Sequence, residues 1–161
     1  MKFLALSLAL AGVLTLSACH SENTENSEKT NKQTETMEQQ SGAINATPQE
    51  LDGIKQTLDA YVEAAIKGDS KIAKPSFAET ATISYSENNT LVSNPIQALF
   101  DYYDQTGPHH AEYTITSARV AGNVAVVSID SKFGDVAFDD MFTLVKDGND
   151  WKIVSKVYHV K

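Results

Sequence analysis

The sequence predicts an α+β domain in which helices pack on a curved antiparallel sheet and the whole takes the shape of a cone. Three observations carry that reading. Leu51, Ile54, Leu58, Tyr61 and Ala65 recur at spacings of three and four, the period of a helix with one buried face. From His110 onward the period changes to two and holds through four long segments. Those segments are joined by Gly122-Asn123, Phe133-Gly134-Asp135 and Asp147-Gly148-Asn149, connections short enough to make neighbouring strands antiparallel.

The first helix opens at Thr47-Pro48-Gln49-Glu50, a capping box with proline at the first helical position, and Gly68 ends it. A shorter helical piece is expected over Ser70–Lys74, stopping before Pro75 because the residue ahead of a proline is biased out of the helical region. Ala81–Ser86 alternates as a strand does, and Glu87-Asn88-Asn89-Thr90 reads as a turn. Asn94-Pro95 introduces another helix with Ile96, Leu99, Phe100 and Tyr103 on its apolar face, closed by Gly107-Pro108.

The four β segments are His110–Val120, Val124–Lys132, Val136–Lys146 and Trp151–Val160. In the first, Tyr113 and Ile115 share one parity and Ala118 and Val120 the other. A bulge near Thr116 or Ser117 would reconcile them and bend the sheet. A bent sheet whose hollow side is covered by helices makes a cone, and a cone has a mouth.

The residues ahead of this domain have a different character. Met1-Lys2 is a short basic start, and Phe3–Leu16 is almost wholly apolar. A membrane-spanning helix needs about 20 such residues, so residues 1–18 read as a signal peptide instead. Leu16-Ser17-Ala18-Cys19 resembles the lipobox of bacterial lipoproteins, which makes Cys19 the expected lipidation site and a membrane the expected partner through that anchor. As the only cysteine, Cys19 has no partner for a disulfide within the chain. The expected location is the cell envelope. If the source is Gram-negative it is the outer membrane facing the periplasm, because His20 rather than an aspartate follows the cysteine. From His20 to Thr47 the chain is rich in Ser, Thr, Asn, Gln and Glu and poor in large apolar residues, so a disordered tether is expected. As a coil it would span roughly 30 Å.

The net charge of −8 and a single arginine, Arg119, argue against nucleic acid or anionic lipid as direct partners. There is no phosphate-cradling glycine loop, nucleophile elbow or zinc-binding cysteine set, and no cofactor is expected. His109-His110 with Glu112 has two histidines in a turn with side chains pointing apart, and no metal site is expected there.

Three stretches point to a family. They are Gly122-Asn123-Val124-Ala125-Val126, then Phe138-Asp139-Asp140-Met141-Phe142-Thr143-Leu144-Val145-Lys146, then Trp151-Lys152-Ile153-Val154-Ser155-Lys156-Val157-Tyr158-His159. Together they resemble the lumazine-binding-like group of the nuclear transport factor 2-like superfamily. That group has an Asp-x-Phe-x-Leu-x-Lys strand and a closing Trp-Lys-Ile-x-x-Lys-x-Tyr-His. The resemblance implies a cone-shaped fold, a cavity for a small molecule, and relatives that pair through the sheet as homodimers. It also implies, by analogy with steroid isomerases and polyketide cyclases, that a carboxylate in the cavity could serve as a base. The group often has a histidine after a phenylalanine where this chain has Phe77-Ala78.

Strand parity places Phe138, Asp140, Phe142 and Leu144 on one face, with Asp139 facing solvent. A carboxylate among apolar neighbours needs a partner. His159 shares the parity of Trp151, Ile153, Ser155 and Val157, which places it inside and within reach of Asp140 if those strands form a hairpin. Asp140 and His159 are therefore the expected acid–base pair should the domain be an enzyme. Lys156 is expected to point outward with Lys152, and Trp151 to serve packing. Tyr61, Tyr85, Tyr103, Phe138 and Phe142 are the expected lining of a site for a small apolar or aromatic ligand. Binding without catalysis is the leading expectation. An isomerase-, cyclase- or dehydratase-type enzyme and a dimeric interaction module are the alternatives.

Overall fold

The computed structural model of the protein describes residues 43–161. The expected signal peptide, Cys19 and most of the expected tether lie outside the described residues. Four helical pieces and seven strands follow in order. Strand β1 (Ile44–Asn45) leads into α1 (Pro48–Lys67), α2 (Ser70–Ala73), a 3-10 turn (Lys74–Ser76), β2 (Phe77–Glu87), β3 (Thr90–Pro95) and α3 (Gln97–Thr106). The last four strands are β4 (Ala111–Ala121), β5 (Val124–Phe133), β6 (Val136–Asp147) and β7 (Asp150–Val160). All seven strands form one sheet in the order β1-β4-β5-β6-β7-β2-β3.

Local chemistry sets the element ends. The Thr47 side chain accepts from the Glu50 backbone N–H, and the Glu50 carboxylate accepts from the Thr47 backbone N–H at 2.8 Å. Gly68 ends α1 at φ 61°, where its Cα lies so close to the Gly107-Pro108 backbone that a side chain could not fit. Asp104 on α3 accepts from both the backbone N–H and the hydroxyl of Ser70, each at 2.8 Å, which ties α2 to α3. Asn88 and Asn89 both have positive φ and turn β2 into β3.

The meander of β4 to β7 is antiparallel throughout, and β7 pairs in parallel with β2. The β4–β5 register slips between Ile115 and Ser117 and leaves Thr116 as the extra residue, at the position the parity switch predicts. The sheet curves, and α1 and α3 cover its hollow side. Ile54, Leu58 and Tyr61 of α1 and Phe100 and Tyr103 of α3 meet Val127, Ile129, Phe142, Leu144 and Ile153 of the sheet in one apolar core. Thr57 pins α1 to β7 by donating to the Trp151 carbonyl at 3.0 Å.

Three expectations shift in detail. The stretch expected to be disordered as far as Thr47 gives way to structure earlier, because Ile44 and Asn45 pair in parallel with Ala118 and Arg119 at the edge of β4. The short helix ends at Ala73, and Pro75 sits in the 3-10 turn, whose first positions tolerate a residue without an N–H. The strand expected over Ala81–Ser86 is longer, Phe77–Glu87, because Phe77 already pairs with Ile153 of β7.

Candidate functional site

The site grows from one misfit. Asp140 is a carboxylate on the inner face of β6, 1% exposed. Its two diagonal cross-strand neighbours complete it. On β5, Ser131 lies opposite Phe138, and its hydroxyl donates to Asp140 Oδ2 at 2.6 Å. On β7, Lys156 lies opposite Phe142, and its Nζ donates to Asp140 Oδ1 in a buried ion pair.

Lys156 reaches that position through a second bulge. On β7, Ile153 is opposite Leu144 and Ser155 is opposite Thr143, so Val154 is extra. The extra residue inverts the parity of everything after it. Ile153 and Lys156 both point inward, and His159 points outward. The expected contact of Asp140 with His159 is therefore not formed: His159 is exposed and lies opposite Asp139. The outward placement expected for Lys156 is likewise reversed, since it is 4% exposed. The signal that could have found this was Asp140 itself. An inward carboxylate in a β6–β7 hairpin requires a partner, and Lys156 is the residue of β7 long enough to supply a charge diagonally.

A ring of aromatic side chains surrounds the ammonium. Lys156 Nζ stands 4.3 Å from the centroid of the Tyr158 ring, 5.8 Å from that of Phe142 and 5.9 Å from that of Tyr61. Tyr158 packs against Tyr85 at 5.0 Å and Phe138 at 5.7 Å, and Tyr61 packs against Phe142 at 5.4 Å and Phe133 at 5.5 Å. Of these rings, Tyr61, Tyr85, Phe133, Phe138 and Tyr158 bound a cavity of about 340 Å³, within the range of small-molecule sites. Tyr61, Tyr103 and Lys156 make its buried floor, and half-exposed Tyr102 and Val136 stand at its rim. Of the expected lining residues, Tyr61, Tyr85, Tyr103 and Phe138 line this cavity. Phe142 does not; it lies beneath, in the core. Ile83, Asn94, Leu99, Phe133 and Tyr158 also line the cavity. They come from β2, β3, α3, β5 and β7, and only the order and curvature of the sheet bring those elements together.

Burial governs the protonation of these groups. It raises the Tyr61 and Tyr103 phenols well above 10.0, and the Asp140 charge adds to the effect. Burial also lowers the Lys156 ammonium from its usual value, against the opposing charge and hydrogen bond of Asp140. His109 is not in the cavity lining; its Nδ1 stands 3.0 Å from the Gly107 carbonyl oxygen and its ring 6.2 Å from that of Phe133. Among the described residues no group of three His, Cys, Asp or Glu side chains could hold a metal ion.

Residues 49–159 match the protein family described as "Putative lumazine-binding". The chain belongs to this family. It is similar to a solved nuclear transport factor 2-like protein of Shewanella baltica OS155, 36% identical, with a TM-score of 0.66 over 73% of this chain and 98% of that one. A nuclear transport factor 2-like protein of Methylobacillus flagellatus KT has the same TM-score at 29% identity, covering 74% of this chain and 98% of its own. Aldolase FrzH of Cladobotryum sp. is 28% identical over 120 residues, 73% of this chain and 96% of that protein. The cone-shaped α+β fold is thus that of the nuclear transport factor 2-like superfamily, and the last strand of this chain, β7, supplies Lys156 and Tyr158 to the cavity.

Two predictions follow from the buried groups. Removing one charge of the pair strands the other, so Asp140→Asn and Lys156→Met should each cost about 3–5 kcal/mol in chemical denaturation, whereas the Asp140→Leu/Lys156→Met double variant should lose much less than the sum. A double variant as unstable as the sum would show that the two residues act independently. The second prediction concerns alkaline pH. Tyr61 and Tyr103 stay protonated in the fold above 10.0, but ionise near 10.0 once unfolded. The stability they contribute is complete below that pH and is lost above it, at about 1.4 kcal/mol per pH unit for each tyrosine. Lys156 acts in the opposite sense, because its lowered folded value makes stability rise with pH until 10.5 and then level off. Above 10.5 the tyrosine loss should stand alone. Denaturation midpoints read together with tyrosinate absorbance should fall in step there.

Proposed function

We propose that the domain binds one small, planar, apolar or aromatic molecule without turning it over, and that the molecule presents an acceptor oxygen to Lys156. The observation that carries this reading is an ammonium on the floor of a largely aromatic and apolar cavity, hydrogen-bonded to Asp140 and close to the rings of Tyr158, Phe142 and Tyr61. Aromatic walls favour a flat apolar body. A buried charged donor favours a carbonyl or carboxylate at the inner end, worth about 1.5–3 kcal/mol. The family and the fold of its relatives support a small-molecule site of this kind.

A second reading is an enzyme that performs acid–base chemistry in the same cavity. The relative named an aldolase favours it. The residues would be Asp140 and Lys156, in place of the pair with His159. For the outer face of the sheet, where Val126, Met141 and Val157 lie exposed in adjoining registers, the proposal is self-association as a homodimer. For the N-terminal segment, the proposal is an envelope lipoprotein anchored at Cys19. Its support is the Leu16-Ser17-Ala18-Cys19 motif after a short apolar run.

Native mass spectrometry of the purified protein should show one small molecule per chain, either carried through purification or taken up from a panel of aromatic carboxylates and ketones. Lys156→Met should weaken uptake at least about tenfold in samples whose circular dichroism matches the wild type. Equal uptake by the variant would remove Lys156 from the site. The same spectra report whether two chains associate. Labelled palmitate supplied to the producing cells should enter the wild type and not a Cys19→Ala variant; equal labelling of both would sink the anchor.

A further inference from the structure

We propose that Lys156 captures carbonyl compounds covalently: its Nζ forms an imine with an aldehyde or ketone seated in the aromatic cavity, and Asp140 moves the proton. The proposal rests on the reading of this cavity as a small-molecule site.

Four observations support it. Among the described residues Lys156 is the only amine that lines the cavity, and its burial puts it on the floor rather than at the rim. Its side chain is 5% exposed and that of Asp140 is fully buried, so bulk water does not surround the pair. Stability alone does not ask for it, since a buried ion pair is often matched or surpassed by apolar side chains of similar volume. Asp140 is held by Ser131 on its other oxygen, so the carboxylate is fixed beside the nitrogen rather than free to swing away.

The chemistry balances within these groups. In a water-poor site Asp140 takes one proton from the ammonium, leaving a neutral amine whose lone pair attacks the carbonyl carbon. The new C–N bond forms as the C=O π pair moves to oxygen, and the nitrogen proton passes to that oxygen to give a carbinolamine. Asp140 then returns its proton to the carbinolamine hydroxyl, the C–O bond breaks, and water leaves. The product is a protonated imine on Lys156 beside an ionised Asp140. One cation and one anion occupy the site before and after, so the buried pair keeps its electrostatic balance throughout. Burial, which lowers the ammonium, favours the first proton transfer. The rings of Tyr158 and Tyr61 flank a cationic nitrogen in both states.

The test uses 2-naphthaldehyde and sodium cyanoborohydride on the purified full chain at about pH 6, where exposed lysines are almost wholly protonated. The reductant delivers hydride to the imine carbon and leaves a stable secondary amine, which peptide mapping locates. A parallel titration with 2-naphthalenemethanol, which has the same ring system and no carbonyl, reports occupancy of the cavity alone. The expected result is one naphthylmethyl group on Lys156, formed at least about tenfold faster than on any exposed lysine. It should be absent from Lys156→Arg and slowed in Asp140→Asn. The wild-type map decides the matter even if a variant fails to fold. Uniform slow labelling of exposed lysines, with the alcohol bound one per chain, would overturn covalent capture and leave the binding reading standing. No occupancy by the alcohol and no adduct at Lys156 would overturn both.

Discussion

A carboxylate on the inner face of a curved sheet must be neutralised where it stands, and much of this domain is arranged around that demand. Asp140 could be satisfied from two sides, and both are used: a hydroxyl from β5 and an ammonium from β7. The second partner is available only because Val154 is looped out of the β6–β7 ladder. Without that extra residue Lys156 would face solvent and the carboxylate would be buried with the Ser131 hydroxyl but no counter-ion, at a cost of several kcal/mol. The bulge, the ion pair and the inward lysine are thus one feature seen at three levels, from backbone register to side-chain charge to the chemistry of the cavity floor.

The aromatic residues answer the same demand from the other direction. An ammonium with a single carboxylate partner has N–H groups left over, and the faces of Tyr158, Tyr61 and Phe142 lie close enough to offer them partial compensation. Those rings do not pack into a solid plug. They leave a hollow between α3, β3 and the sheet, with Asn94 as a further polar side chain in its wall. A site of this composition is apolar over most of its surface and charged at one point, which orders a bound molecule end to end. The relatives share the fold over nearly their whole length. The fold thus supplies the hollow, and the residues within it decide what the hollow holds.

The amino-acid pattern foretold most of the architecture because most of it follows local rules. The capping box at Thr47, the apolar stripe of α1, the Gly122-Asn123 turn and the parity switch at Thr116 are each visible within a few residues and each holds in the structure. The bulge on β7 left no such trace. Trp151, Ile153, Ser155 and Val157 alternate without interruption, and nothing such as glycine marks Val154. Periodicity therefore carried His159 inward and Lys156 outward, and both were reversed. What overrides the pattern is a long-range requirement, the charge on a neighbouring strand, which no window along one segment can contain. The cavity was legible in part for the same reason. Tyr61, Tyr103, Tyr85 and Phe138 are apolar-face aromatics of recognisable elements. Asn94, Leu99 and Phe133 meet them only through the sheet order.

The short strand β1 occupies one border of the sheet, while β2 and β3, which wall the cavity, occupy the other. Chain arriving from the N-terminal side therefore meets two residues laid along β4 and then the knotted hydrogen bonds around Thr47 before it touches anything that shapes the hollow. A pull applied from that side would be taken up first at the far margin of the sheet. It would load β4 before it could reach the strands that wall the hollow, so strain entering there would leave the mouth in shape.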